Sequence, residues 1–171
     1  MMPALSFQIL PGALPVRHAL VTAEQWQQAI AALHAADARL LALWGEDARA
    51  PNGAPFLHAA LQESDCITLL DLALDPFEPV YPALDALYPF TERMQRAIAD
   101  LLGLRAEPRS AAAARPWLRH DAWRDTEYPL RRGHVVAERP PAAQYPFVKV
   151  QGEGVHEIPV GPVHEIGRAH V

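Results

Sequence analysis

Asp71, Asp75 and Glu78 fall near the end of a strand-like run, CITLLDLAL, where paired carboxylates could divide general-acid and general-base work. A free-standing hydrolase built on them would need a deep pocket joining them to a histidine. The chain has eight histidines. His18, His34, His58, His120 and His134 are scattered, no i, i+4 pair falls on an expected helix, and no HExxH element is present. Each of these five reads as a surface or hydrogen-bonded structural side chain, and no metal site is expected. Cys66 is the single cysteine. That excludes an internal disulfide and any thiolate zinc or iron–sulfur site made by this chain alone. Its apolar setting suits a buried, inert thiol. The one glycine-dense segment, GEGVHEIPVG, contains neither GxGxxG nor a GKS or GKT ending, so direct binding of NADH or ATP is not expected.

A second chemistry-bearing pattern is a run of arginines, Arg105, Arg109, Arg115, Arg119, Arg124, Arg131, Arg132 and Arg139, interleaved with Trp117, Trp123 and Tyr128. Such a strip could track phosphates while its rings stack on bases. It could also lay its aromatics on a neighbouring subunit and pair its guanidiniums with carboxylates. Glu107, Asp121, Asp125, Glu127 and Glu138 in the same stretch, with a formal charge of −5 overall, favour docking to protein over nucleic acid.

The elements that must position these residues are legible in part. The chain has 171 residues, half of them apolar, enough for one domain with a core and an appended arm. Pro3, Pro11 and Pro15 mark residues 1–16 as an extended lead-in. From Thr22, a potential cap with Gln25 as its capping-box partner, Trp26, Ile30 and Leu33 recur at helical spacing to about Ala36. Three strand-like segments follow, Arg39–Gly45, Pro55–Gln62 and Cys66–Leu74, separated by PNG and ESD turn signals. A second helix is expected over Thr91–Leu102, with Met94, Ile98 and Leu101 on one stripe and Gly103 as its C-cap. Beyond Leu104 the periodicity vanishes. The fold class is therefore α+β: a small, mainly antiparallel sheet packed with two helices, followed by an extended Pro/Arg-rich arm. The arm, whose anchors have no periodic element to sit on, is expected to order only against partner subunits. No stretch reaches the roughly 18 apolar residues of a membrane span, and the opening residues lack the basic region of a secretory signal. A cytoplasmic location is expected, with membrane contact made through partners.

The segment ERMQRAIADLLGL, Glu92–Leu104, resembles the ER…DLxG signature helix of the C-subunit family of NADH-quinone oxidoreductases and its hydrogenase relatives, through Glu92, Arg93, Asp100 and Gly103. Met94 stands where the compact complex I form has a third acidic residue. That variation, with RPWLRHDAW at Arg115–Trp123, looks more like the version fused to a hydrogenase. EYPLRR at Glu127–Arg132 is similar to the family's closing PLR motif, here Pro129, Leu130 and Arg131. VKVQGEGVHEIPVGPVH, Val148–His164, looks like the opening of the large-subunit domain of energy-converting nickel–iron hydrogenases of the formate-hydrogenlyase type, with His156, Gly161, Pro162 and His164 in the matching motif.

The resemblance implies a non-catalytic docking and assembly domain of a membrane-associated hydrogenase large subunit, truncated before the nickel site. The parent would act in electron transfer and proton reduction. Its partners would be an iron–sulfur small subunit and other subunits of a complex I-like assembly on the cytoplasmic side of the inner membrane, with the membrane arm contacted indirectly. No cofactor is expected in this chain. The nickel–iron centre would belong to the domain that follows, and an iron–sulfur cluster to a partner. The C subunit of a quinone-reducing NADH-quinone oxidoreductase, or a fused C/D subunit, is the nearest alternative. In the related family a loop histidine sits at the quinone head group, and His164 best matches it, with His156 second. Read locally, GPVH is also a tight turn with His164 satisfied by its neighbours.

The expected organisation is thus lead-in 1–16, C-subunit-like domain 17–104, docking arm 105–147, and the start of a large-subunit domain at 148–164. Glu165–Val171, EIGRAHV, can be encoded by a string matching a sequencing-library adapter read in frame and followed by a stop codon. This tail is expected to have no evolved role.

Overall fold

The computed structural model describes residues 2–47, 53–108, 115–119, 123–124, 126–134 and 152–154. Strand β1 (Gln8–Leu10) and β2 (Val16–Val21) precede helix α1 (Ala23–Ala35). Strands β3 (Arg39–Glu46), β4 (Phe56–Gln62), β5 (Ile67–Ala73) and β6 (Val80–Pro82) lead to helix α2 (Thr91–Leu102) and strand β7 (Arg105–Glu107).

Both helices begin and end close to where sequence places them. The Thr22 hydroxyl accepts the Gln25 backbone N–H at 3.2 Å and the Gln25 side chain accepts the Thr22 N–H at 3.0 Å, which satisfies two of the donors that a helix start leaves over. Gly103 closes α2 in the left-handed region, φ 72°, where a residue without Cβ carries no steric penalty. On α2 the fully buried stripe is Thr91, Gln95, Ile98 and Leu102. Met94 and Leu101 lie one position to its side, only partly buried against the core.

The sheet runs β1-β2-β5-β4-β3. Strands β3, β4 and β5 form the expected antiparallel meander, joined after Gln62 by a turn in which the Glu63 N–H reaches the Cys66 carbonyl. Strand β2 was not foreseen: it pairs in parallel with β5, Val16 opposite Ile67 through Val21 opposite Leu72. Its connection to β3 passes through α1, a helical crossover, so its partner lies about fifty residues away along the chain. The residues expected only to lead in include β1, which pairs antiparallel with β2. The first residues of the expected arm form β7, parallel to β6.

Alternation then divides the sheet. Leu57, Ala59 and Leu61 of β4 and Leu70 of β5 are fully buried in one cluster with Trp26, Ile30 and Leu33 of α1 and Ile98 and Leu102 of α2. Gly45 lies on this face, and a Cβ there would sit 2.8 Å from the Leu102 and Leu104 methyls. A larger residue at Gly45 would have to displace these methyls, so α2 and the segment after it pack directly on the β3 backbone.

Candidate functional site

The last turn of α2 leaves carbonyls that no residue of the helix can satisfy. Three consecutive ones are satisfied by the segment that returns after β7. The Asp100 carbonyl accepts from Trp123 Nε1 at 3.3 Å, the Leu101 carbonyl from the Leu130 N–H at 3.1 Å, and the Leu102 carbonyl from Arg131 Nε at 2.7 Å. In return the Asp100 carboxylate, almost fully buried, accepts the backbone N–H groups of Trp117 at 2.6 Å, Leu118 at 2.7 Å and Arg119 at 3.3 Å on one oxygen. These charge-assisted bonds are stronger than neutral ones and hold the loop in register. Tyr128 packs on Gly103 so closely that a Cβ would lie 2.6 Å from its ring, and Arg131 stacks over the same ring at 4.5 Å. Asp100, Gly103, Leu130 and Arg131, four of the motif residues picked out in the sequence, therefore meet in one clasp. Pro129 stands between Tyr128 and Leu130, two residues of that clasp.

Glu92 and Arg93 sit at the opposite end of α2. Glu92 pairs with Arg96 at 3.4 Å, and Arg96 donates to the Arg115 and Pro116 carbonyls, both at 2.9 Å. Arg93 and Arg96 both lie over the Trp117 ring, at 4.9 and 5.1 Å. The described parts of the arm thus have a periodic element to sit on, contrary to the expectation that its anchors had none. The reason is that open helix carbonyls and a buried carboxylate attract a backbone without any apolar repeat in it. His156, Gly161, Pro162 and His164, as well as His120 and the tail Glu165–Val171, lie outside the described residues.

Among the described residues, the other face of the sheet carries no helix. Asp71 stands at its centre, opposite Leu20 of β2 on one side and His58 of β4 on the other, with Trp44 of β3 beyond. One Asp71 oxygen meets His18 Nε2 at 2.7 Å and the other meets His58 Nδ1 at 2.7 Å. His58 Nε2 comes within 3.3 Å of Glu46 but is not aligned for a hydrogen bond, so this buried nitrogen has a charge neighbour without a proper acceptor. Trp44 and Phe56 both stack with the His58 ring, with centroids 5.0 and 6.1 Å away and interplanar angles of 20° and 18°. Around this polar row Leu20 is 65%, Leu10 40%, Trp44 40% and Leu41 39% exposed. His18 and His58 are hydrogen-bonded structural side chains, as expected, but sequence did not show that they share one carboxylate. The signal was available: Val16–Val21 alternates, and places His18 on the same face as Asp71.

The three carboxylates considered for hydrolysis have separate duties. Asp71 belongs to the histidine row. Asp75 accepts the Phe77 and Glu78 N–H groups at 2.7 and 3.0 Å, which holds its carboxyl below the ordinary range and fixes a turn. Glu78 is an exposed neighbour of Arg105 at 3.7 Å. Cys66 is half-buried rather than buried; burial pushes its thiol up and Arg17 opposes this. His34 meets the Tyr88 ring edge-on at 5.0 Å. Among the described residues no cluster of His, Cys, Asp and Glu converges to hold a metal ion, and no helix is long and apolar enough to cross a membrane.

Residues 19–140 match the protein family described as "Respiratory-chain NADH dehydrogenase, 30 Kd subunit". Two solved structures share the fold. The trypsin-resistant fragment (1-134) of Nqo5 is similar with a TM-score of 0.51 at 16% identity, over 60% of this chain and 86% of that one. A chain of the membrane-bound sulfane sulfur reductase, an archaeal respiratory membrane complex, is similar with a TM-score of 0.59 at 14% identity, over 85% of this chain and 92% of that one. No curated protein matches.

Proposed function

The chain belongs to the family of the respiratory-chain NADH dehydrogenase 30 Kd subunit, and from that premise we propose that it is a non-catalytic docking domain of a complex I-like respiratory assembly. The observation that carries this is the sheet face away from the helices, where Leu20, Leu10, Trp44 and Leu41 stand exposed around a row of partly buried polar groups. Exposed apolar side chains gathered on one face in this way mark a protein partner surface. The family match supports the C subunit of an NADH-quinone oxidoreductase, which the sequence alone ranks second to the hydrogenase. In this reading the domain holds no cofactor, electrons pass through neighbouring subunits, and it lies peripherally on the cytoplasmic side. An iron–sulfur small subunit is among its partners and the membrane arm is reached only through them.

The hydrogenase reading rests on one specific observation, the wording of Val148–His164, VKVQGEGVHEIPVGPVH. Under it a nickel–iron centre lies in the next domain, and His164 occupies the position matching the quinone-loop histidine. Co-expression of the chain with the other subunits of its parent complex tests the shared part of both readings. Leu20→Asp and Trp44→Asp are expected to leave the chain folded and remove it from the purified complex. Retention of both variants would remove the docking reading. Nickel in the purified complex favours the hydrogenase, and quinone reduction without nickel favours the NADH-quinone oxidoreductase.

A further inference from the structure

A groove of about 900 Å³ opens between the first turns of α2 and the returning segment, on a surface separate from the uncovered sheet face. Pro89, Phe90, Pro116 and Trp117 give it apolar walls, and Arg93, Arg96 and Arg115 line it together with a single carboxylate, Glu92. Phe90 is 53% exposed at its rim.

The charge in the groove runs against that of the molecule. The whole chain has 20 acidic and 15 basic residues, yet three guanidiniums face one carboxylate here. Glu92 is already paired with Arg96, which is itself held by the Arg115 and Pro116 carbonyls. Among the described residues neither Arg93 nor Arg115 has a carboxylate at ion-pair distance, and both side chains are exposed. Arg93 is also positioned by stacking over Trp117, so its guanidinium loses little freedom on meeting an anion.

We propose that this groove receives an extended acidic segment of a partner protein, its carboxylates on Arg93 and Arg115 and an apolar side chain against Phe90 and Pro116. Guanidinium forks suit planar carboxylates, and a half-apolar wall suits a side chain beside them. Single-stranded nucleic acid fits less well. It needs open aromatic faces, whereas the Trp117 ring is taken by two guanidiniums. That the segment belongs to a subunit of the same assembly rests on the docking role above; that it is acidic and extended rests on the groove alone.

The test uses the whole chain and a fluorescein-labelled peptide, Glu-Glu-Phe-Asp-Glu-Leu-Glu-Glu, with a Lys-for-Glu peptide as its control. Anisotropy is expected to show saturable binding of the acidic peptide alone. The double variant Arg93→Glu, Arg115→Glu should weaken it by about tenfold or more. Leu20→Asp, on the other surface, should leave binding unchanged, so a failed groove and a failed sheet-face reading give different results. Equal binding by the double variant, or no binding of the acidic peptide, overturns the proposal. So does displacement of the peptide by inorganic phosphate at lower concentration, which would make the groove a free-anion site, or tighter binding of oligouridylate, which would make it a nucleic-acid site.

Discussion

The two faces of the central sheet are built by the same alternation and have opposite fates. On the covered face Leu57, Leu61 and Leu70 are fully enclosed by the helices, and the sequence there is almost uninterrupted aliphatic. On the other face Leu20 and Trp44 remain in contact with solvent, and a His–Asp–His row runs through the apolar residues. A covered face contributes to stability wherever the chain is. An uncovered one, with its apolar area still accessible, can contribute only when a partner arrives. The contrast separates residues whose loss should unfold the domain from residues whose loss should strand it outside its complex.

The largest effect on stability is expected on the covered face. Leu57→Ala removes a side chain with no solvent contact and leaves a cavity in the core, which costs about 2–5 kcal/mol. Denaturant unfolding of the isolated chain measures it. A loss below about 1 kcal/mol would mean that the two faces are not as different as their burial indicates.

That face was legible for a physical reason. Trp26, Ile30 and Leu33 recur at the helical period, and Leu57, Ala59, Leu61 and Leu70, Leu72 at the period of a strand, so burial wrote itself into the spacing. Thr22 with Gln25 and Gly103 marked helix ends because caps are local chemistry. Strand β2 is not legible because its partner is β5, far away along the chain, and because the three prolines before it read as irregular chain. The clasp was half visible. Asp100, Gly103, Leu130 and Arg131 were singled out through family resemblance, while the hydrogen bonds joining them depend on helix carbonyls that every sequence has and none displays. The shared carboxylate at Asp71 depends on register between three strands, which spacing alone does not set.

The second expected effect falls on the uncovered face, where the histidine row should matter to the isolated chain as well. Asp71→Ala leaves His18 Nε2 and His58 Nδ1 without their acceptor, and His58 is buried. Loss of the acceptor for such groups costs about 1–3 kcal/mol. If Asp71→Ala unfolds at the same denaturant concentration as the parent chain, the row has no role in holding β2, β5 and β4 together. The imidazoles would then be available to a partner instead.

A smaller effect is expected at Leu20, although it is the most exposed large apolar residue of the sheet. Leu20→Ser should change the stability of the isolated chain by no more than about 0.5 kcal/mol, since its side chain is mostly in water already. The same substitution should weaken assembly measurably in the co-expression experiment. A destabilisation like that of Leu57→Ala would show that the face is covered within the chain, and the comparison of the two faces would collapse.

The smallest effect concerns acid, and it belongs to the covered side, where its edge meets solvent. Arg17 and Thr68 both bond one oxygen of Glu63, Thr68 at 2.6 Å. Burial works to raise the Glu63 carboxyl, but the Thr68 hydroxyl and the Arg17 guanidinium together outweigh it and hold the group below its ordinary value of 4.5. Because the folded value is the depressed one, the contribution of Glu63 to stability is complete above the unfolded value and disappears as pH falls through the folded one. The chain should therefore lose part of its melting temperature between about pH 5 and pH 3, and Glu63→Gln should flatten that part of the profile while lowering stability at neutral pH. Since about a quarter of the Glu63 side chain is exposed, water and salt screen the pair and the change should be small. No difference in acid slope between Glu63→Gln and the parent chain would mean that the ion pair closes the end of β2 against β5 without contributing to its stability, and that aliphatic packing alone secures the covered face.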